Sequence, residues 1–424
     1  MKRETMDQQK LIDYKKLEVR KLPSANDEVI ALLKETVLGS EGGMRYSMQN
    51  TPERITTYGD GLSFLALYKR SSLMGVIGLC RRVIRNRGSQ SEATYLRYLA
   101  VQSEYQTERA PGRREARRAG AAGRGSGADS WRSGASDSGT AGRGSGADSW
   151  RSGAADSGAA TRLTGAATRL AGAAESFKAR IISLIREPEQ DSGRPHVMYA
   201  YVESRNERSR NMINQSGYEY IRSFLTVAFS RFNPKVNAEV TRLKPEEEPA
   251  MAALLDEQYR DYCFYTDEFS FLDHRYYVLR RNGEIVAGVG AIPARYRVVN
   301  VPGLWGWLMM KVLPRTPYFR RLFQPEAFRY VILNAIYCRK GNEDLLPDLF
   351  EAVCAEEGYN TALTWLDDHS HLFETLRTNR RMGVLNRMLN AKPGLVYALF
   401  SGLTPEETEK FYDSPAYISG FDFS

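Results

Sequence analysis

The spacing of apolar and polar positions changes along the chain, and each change marks an element. Leu17-Glu18-Val19-Arg20-Lys21-Leu22 alternates, as an amphipathic strand does. After Pro23, Ser24 is placed to cap a helix, with Asp27 three residues on to answer its backbone amide. Val29, Ile30, Leu32, Leu33, Val37 and Leu38 supply the apolar face of that helix, and Gly39 with the Gly42-Gly43 pair ends it. The runs 62–68 and 73–84 are apolar and flank a short polar break, the pattern of a hairpin. Residues 85–93 read as a polar turn, and 96–106 as a buried strand running out into a loop. Residues 175–185 have the spacing of an amphipathic helix, with Phe177, Ile181, Leu184 and Ile185 on one face. Val197 to Val202 is apolar on both faces, so it is expected in the middle of a sheet. Ser204 to Glu207 has the form of a capping box, Gly217 ends the helix it opens, and two short strands follow at 218–221 and 224–229.

From about residue 235 a similar order returns. Glu239 to Leu243 reads as a strand and Pro245 to Tyr259 as a helix. Arg281-Asn282-Gly283 joins two strands at 276–280 and 284–292, a strong hairpin signal. A strand at 329–337, a helix at 345–357, a strand at 361–366 and a last strand at 395–400 complete the run. Residues 303–310, Gly-Leu-Trp-Gly-Trp-Leu-Met-Met, are apolar without period and are expected in the core, with the lining of an acceptor pocket as the alternative.

One stretch follows no such pattern. Ala122 to Thr140 is repeated almost unchanged at Ala141 to Ala159, in a tract of Ala, Gly, Ser and Arg over 108–175. It holds too little apolar surface to offset ordering and is expected to be a disordered insertion. Arg/Gly/Ser repeats can bind RNA by charge and stacking, but Trp131 and Trp150 are the tract's only aromatics and its Asp residues balance much of its Arg. Nucleic acid is therefore not the expected partner.

Composition adds bounds. The 424 residues suffice for two or three domains. The formal net charge is +8, and the tract alone carries eleven Arg against seven Asp plus Glu, half of that excess. The rest reads as a solvated basic surface. Cys80, Cys263, Cys338 and Cys354 lie far apart with no CxxC pair, which reads as reduced thiols in a cytoplasmic protein. Met1 to Lys16 has no apolar core for a signal peptide, and no run approaches a membrane span, so no membrane partner is expected. Asp367-Asp368-His369-Ser370-His371 could hold a metal but reads better as a polar helix start capped by Asp368 or Ser370, so no metal site is expected. His196 and His274 read as structural.

The order strand, helix, three strands, helix, strand, helix, two strands resembles that of the GNAT superfamily of acyl-CoA-dependent N-acyltransferases. The local motifs that carry the resemblance are Leu99-Ala100-Val101 with Glu104-Tyr105-Gln106, and Asn206 through Gly217-Tyr218. It implies an α/β (α+β) fold of two GNAT-like domains, each a mixed, mostly antiparallel central sheet with flanking helices. The expected boundaries are 13–234 for an acyl-CoA-binding domain, interrupted at 108–175, and 235–424 for a second, degenerate domain. That second domain is expected to bind no CoA and to close the acceptor site.

The resemblance also implies acetyl-CoA as cosubstrate, its pantetheine along Leu99, Ala100 and Val101 and its pyrophosphate on backbone amides at the next helix start. An anion is stabilised there because the first helical amides lack partners. The family's loop, Arg/Gln-x-x-Gly-x-Gly/Ala, can be set in more than one register. Counted from Gln106, the small positions fall on Arg109 and Pro111, and Pro has no N–H to donate. Counted from Arg169, the run Arg169-Leu170-Ala171-Gly172-Ala173-Ala174 fits, as Arg162 to Ala167 and Arg117 to Ala122 also do, but only this copy leads into the 175–185 helix. Asn206 belongs to the implied cofactor set.

The implied reaction is direct attack of a primary amine, from a small molecule or peptide, on the thioester carbonyl. The backbone at Val101 is placed to polarise that carbonyl. Where many relatives keep a Tyr as acid, four residues before Gly217, this chain has Ile213. Tyr95 is the remaining catalytic candidate, although a phenol of ordinary pKa near 10 is a poor base at neutral pH. Two alternatives stay open at this point: a tandem-GNAT transferase using aminoacyl-tRNA, and a non-catalytic acyl-CoA-binding or disabled relative.

Overall fold

The computed structural model describes residues 17–39, 43–69, 71–102, 194–389 and 392–424. The strands are β1 (Leu17–Leu22), β2 (Arg45–Met48), β3 (Leu62–Lys69), β4 (Ser72–Asn86), β5 (Ser89–Val101), β6 (His196–Glu203), β7 (Glu219–Ser230), β8 (Val240–Arg242), β9 (Tyr276–Arg281), β10 (Glu284–Asn300), β11 (Phe328–Cys338), β12 (Thr361–Asp367) and β13 (Gly394–Ser401). The longer helices are α1 (Asp27–Glu35), α2 (Thr51–Tyr58), α3 (Glu207–Gln215), α4 (Glu248–Gln258), α5 (Leu346–Glu357), α6 (His371–Thr378) and α7 (Pro405–Asp413).

All of these strands join one mixed, mostly antiparallel sheet flanked by helices. Its order is β1-β3-β4-β5-β6-β13-β7-β12-β11-β10-β9-β8, with β2 added beside β10. The order reads the same way from either end. Four antiparallel strands lead to one parallel pair, β5 with β6 on one side and β11 with β12 on the other. The two central strands are exchanged. β13 lies beside β6, while β7, which follows β6 in sequence, lies beside β12. β13 and β7 then pair with each other and close the sheet.

Helices bury one face each against this sheet. Val29, Leu32 and Leu33 of α1 are buried with Leu62, Phe64 and Ala66 of β3 in one apolar cluster. Leu346, Leu349, Phe350 and Val353 of α5 are buried with Val227, Phe229, Val331 and Leu333 in another. At about 1.5–3 kcal/mol for each fully buried large side chain, these faces fix the helices more strongly than intrinsic propensity does.

Several local expectations needed correction. Asn26, not Ser24, caps α1, its Oδ1 accepting from the Val29 amide at 3.0 Å. The helix ends at Glu35, because Thr36 turns extended and Leu38 bridges to Tyr46 of β2. Asn206 rather than Ser204 caps α3. Residues 85–93 are not a turn. β4 and β5 stay paired out to Asn86 and Ser89, and only Arg87 and Gly88, both at positive φ (45° and 79°), turn the chain. The two strands expected at 218–229 are the single β7. Both β2 and α2 escaped the sequence pattern. β2 is four residues long and pairs with β10, a partner some 250 positions away in the chain. Residues 303–310 are core only in part: Met309 and Met310 pack against the core, whereas Leu304 and Trp307 are 81% and 57% exposed.

Candidate functional site

β6 accompanies β5 only from Glu92 to Leu96, opposite His196 to Ala200. Beyond Leu96, β5 runs on to Val101 held by β4 alone among the described strands. The strands part at a bulge. Arg97 pairs with Gly78 and Ala100 with Val76, so Tyr98 and Leu99 together face one residue, Ile77. Tyr98 takes the left-handed conformation, φ 57°, that such a bulge imposes on one residue. Gly75 permits the close approach that follows, since a Cβ there would lie 2.9 Å from the Ala100 carbonyl oxygen. The result is a strand end that leaves its parallel neighbour, with Leu99 at the surface, Ala100 buried and Val101 half-buried.

The sheet face beneath this opening is polar and enclosed. Arg82 of β4 and Arg97 of β5 are both buried. Arg82 forms a bidentate pair with Asp422, at 3.0 and 2.8 Å, and donates to the Tyr199 hydroxyl at 3.1 Å. Tyr58 donates to the same carboxylate at 3.1 Å, and Arg97 donates to the Tyr58 hydroxyl at 2.8 Å. Arg97 also donates to the backbone oxygens of Phe421 and Ser424, at 3.1 and 2.6 Å. Glu268 lies 3.5 Å from the Arg82 Nε. Burial raises its carboxyl pKa, with Arg82 pulling the other way. The sequence hint was a phase rule. Arg82 alternates with Cys80 and Ile84, and Arg97 with Tyr95, so both fall on inward positions of buried strands.

Tyr95 sits on this face, 5% exposed, with its ring 5.2 Å from that of Tyr199 and 4.9 Å from that of Tyr201. Burial, then the Asp422 charge, push its phenol well above the ordinary value. Such a group is a neutral phenol at physiological pH and cannot take the amine's proton there. Tyr98 has a buried hydroxyl with no hydrogen-bond partner among the described residues, under the Arg97 guanidinium at 4.5 Å. Burial pushes it up to about 12.

Asn206 is occupied as the α3 cap, its Oδ1 accepting from the Ser209 amide at 3.1 Å. Ile213 is buried in that helix. Gln106, Arg169, Leu170, Gly172, Ala173 and Ala174, together with the 108–175 tract and the helix expected at 175–185, lie outside the described residues. The structure places Tyr95, Leu99, Ala100 and Val101 on one strand and Asn206 at the start of α3.

The other half carries the same construction with a different outcome. β12 pairs with β11 only at Val331–Ala362 and Ile332–Leu363. β11 has its own bulge, where Ala335 and Ile336 face Val289 and Ala335 takes φ 48°. Here residues 414–424 enter the gap. The Ala416 amide donates to Asp367 at 2.8 Å and the Gly420 amide to Asn334 at 2.9 Å, while Tyr417 and Ile418 line the space between the parted strands. The same segment continues across the sheet to Asp422, and Phe423 stacks between Trp365 and Tyr201.

Asp367 therefore binds protein groups. It is buried, accepts both arms of Arg222 at 3.0 and 3.1 Å, and anchors Ala416. Ser370 caps α6, accepting from the Phe373 amide at 3.2 Å. His196 is buried with its Nε2 3.1 Å from the Thr94 hydroxyl, and His274 pairs with Glu248 at 2.7 Å. All four cysteines are free thiols. No helix among the described residues is long and apolar enough to cross a membrane.

No protein-family model matches the chain, and no curated protein does. Similar solved structures exist. Saccharomyces cerevisiae N-myristoyltransferase with bound myristoyl-CoA aligns over 95% of this chain and 89% of that chain, at 10% identity and a TM-score of 0.46. A second structure of that enzyme, with myristoyl-CoA and inhibitors, gives 95% and 86% coverage, 10% identity and a TM-score of 0.47. A GCN5-related N-acetyltransferase from Anabaena variabilis aligns over 89% and 72%, at 7% identity and a TM-score of 0.42.

Proposed function

We propose that this chain is an acyl-CoA-dependent N-acyltransferase of the GNAT type that transfers an acetyl group from acetyl-CoA to a primary amine. The observation that carries this reading is the parting of β5 from β6 after Leu96, driven by the bulge at Tyr98. Among the described strands β5 has no neighbour on this side past Leu96, and its backbone from Tyr98 to Ala100 would offer donors and acceptors to an extended amide chain, as an added strand would receive them. Pantetheine is such a chain. In this reading it lies along Leu99 to Val101, and a backbone amide near Val101 polarises the thioester carbonyl. The amine arrives neutral, attacks the carbonyl carbon, and the carbon–sulfur bond breaks to release CoA. The departing thiolate takes one proton and the amine loses one. Tyr95, held as a neutral phenol, suits the donor role and not the base role.

The remaining parts of the reading follow the fold. The two halves, 13–234 and 235–424, are GNAT-like domains that exchange their last strands, and 108–175 is an insertion in the first. The pyrophosphate rests on the loop Gly172 to Ala174, introduced by Arg169 and Leu170. The second half binds no CoA, because residues 414–420 fill the gap between β11 and β12. The acceptor is an amine of a small molecule or peptide. The protein works in the cytoplasm, where its four thiols stay reduced.

Calorimetric titration of acetyl-CoA into the full chain, and into a version lacking 108–168, tests this. Binding to both supports the site and makes the tract a passive insertion. Binding only to the shortened chain supports the site and assigns the tract a blocking role. Binding to neither overturns the reading.

A further inference from the structure

Between β10 and β11 the chain leaves the sheet for residues 301–327. A short helix at Gly303–Trp307 runs directly into a π-helical turn at Leu308–Val312, and a second helix spans Pro317–Leu322. One side of this excursion is anchored. Leu322 and Phe323 are buried, Met309 and Met310 pack against the core, and Phe319 meets Phe232 edge-on at 5.6 Å.

The other side is apolar and exposed. Leu304, Trp307 and Tyr318 are 81%, 57% and 66% exposed. Leu304 and Trp307 fall at i and i+3 of the first helix, and Tyr318 and Arg321 at i and i+3 of the second, so Arg321 shares a face with Tyr318. Lys311, Arg315, Arg320 and Arg321 are all exposed. From 301 to 325 there is no Asp or Glu. The first carboxylate after it, Glu326, pairs with Arg297 at 3.3 Å. Among the described residues none of the four cations has a carboxylate partner; Arg321 donates to the Asn233 side chain at 2.6 Å.

Single exposed apolar residues are ordinary on a protein surface. A rigidly backed cluster of Leu, Trp and Tyr set among four cations and no anion is not. Trp and Tyr favour an environment apolar at one end and wet at the other, and long basic side chains reach past an apolar stem to a charged layer. A protein partner could cover the apolar part, but the unbalanced charge selects an anionic surface. We propose that this element docks the protein onto an anionic lipid surface, with the three apolar residues in the headgroup region and the four cations at the phosphates. The proposal is independent of the acyl-transfer reading and needs no spanning helix.

The test is co-sedimentation of the full chain with phosphatidylcholine vesicles, with and without phosphatidylglycerol. Binding is expected only with the anionic lipid, and raised salt weakens it. Leu304→Ser with Trp307→Ser is expected to weaken binding roughly a hundredfold, and Arg320→Ser with Arg321→Ser by about 30-fold. Both pairs are exposed, so thermal unfolding should match the parent and separates lost binding from lost fold. Failure to bind phosphatidylglycerol vesicles overturns the proposal, as does binding that neither pair changes. A dimer in sedimentation velocity that Leu304→Ser with Trp307→Ser abolishes also overturns it, assigning the face to a second copy of the chain.

Discussion

Tyr98 and Ala335 carry the same backbone distortion at corresponding places in β5 and β11. Each has a positive φ, 57° and 48°, inside a bulge where two residues oppose one. Each sits just past the point where its strand leaves a parallel neighbour. A left-handed conformation costs a residue with a Cβ about 1–2 kcal/mol, so the fold holds this cost twice. In the second half the gap so made is filled by residues 414–420. On the proposed reading the first half is the one that takes the cosubstrate.

Gly75→Ala tests whether the end of β5 is the binding edge. The added methyl would meet the Ala100 carbonyl oxygen at 2.9 Å and the Val101 side chain at 3.4 Å, so β5 must shift beyond the bulge. Overpacking of this kind costs about 1–3 kcal/mol. Acetyl-CoA affinity by calorimetry is expected to fall about tenfold with the far-UV spectrum unchanged. Affinity equal to the parent's would place the cosubstrate elsewhere.

The chain's apolar periodicity made the sheet strands legible, because a two-residue alternation or an apolar run survives whatever the partner strand is. It gave β1, β3, β6 and β9 within a residue or two. It could not give the exchange of β7 and β13, since both read as ordinary strands and their neighbours are set by packing between halves. The bulges were equally hidden: nothing in Arg97-Tyr98-Leu99 announces a positive φ, and Gly75 and Gly78 on the facing strand were the sole trace. Leu99, Ala100 and Val101 were placed by resemblance, and they lie on the part of β5 that has left β6. Asn206 was attractive as a ligand for the same reason that it caps α3: a short polar side chain before a helix finds the open amides first. Asp422 was invisible, because its role depends on Arg82, 340 residues earlier.

Tyr95→Phe separates the two roles open to that phenol. Its pKa is raised by burial and by Asp422, so the folded protein keeps it protonated through neutral pH. The acid limb of the rate against pH, which reports the group that must lose a proton, is therefore expected to be unchanged in Tyr95→Phe. The measurement is kcat/KM for acetyl transfer from pH 5 to 9 in both proteins. Loss of that limb in the variant would return Tyr95 to the base role.

Alkali should unfold this protein steeply. Burial raises the phenols of Tyr58, Tyr95, Tyr259, Tyr276, Tyr296 and Tyr330 well above 10.0. A raised folded value means that the stability held by each neutral phenol is complete below pH 10 and is lost as pH rises past it. Six such groups together cost about 8 kcal/mol per pH unit above 10, comparable to the whole stability of an ordinary domain. Most of the tyrosinate absorbance and the far-UV dichroism, followed together, should change in one transition near pH 11. Most of the tyrosinate absorbance appearing near pH 10 with the dichroism intact would show that these rings are accessible.

Removing Asp422 should be among the most damaging single changes on the sheet face. Its carboxylate is fully buried against Arg82 and accepts from Tyr58, and the segment that carries it closes the second gap. Asp422→Ala leaves the Arg82 guanidinium buried with only Glu268, at 3.5 Å, to offset its charge. Breaking a buried pair from one side costs about 3–5 kcal/mol, whereas replacing both partners with apolar groups costs far less. Urea unfolding of Asp422→Ala, Arg82→Met and the double variant should therefore show the double variant more stable than Asp422→Ala alone. Equal losses that simply add would mean that the two side chains are not coupled and that residues 414–424 are held by their aromatic contacts alone.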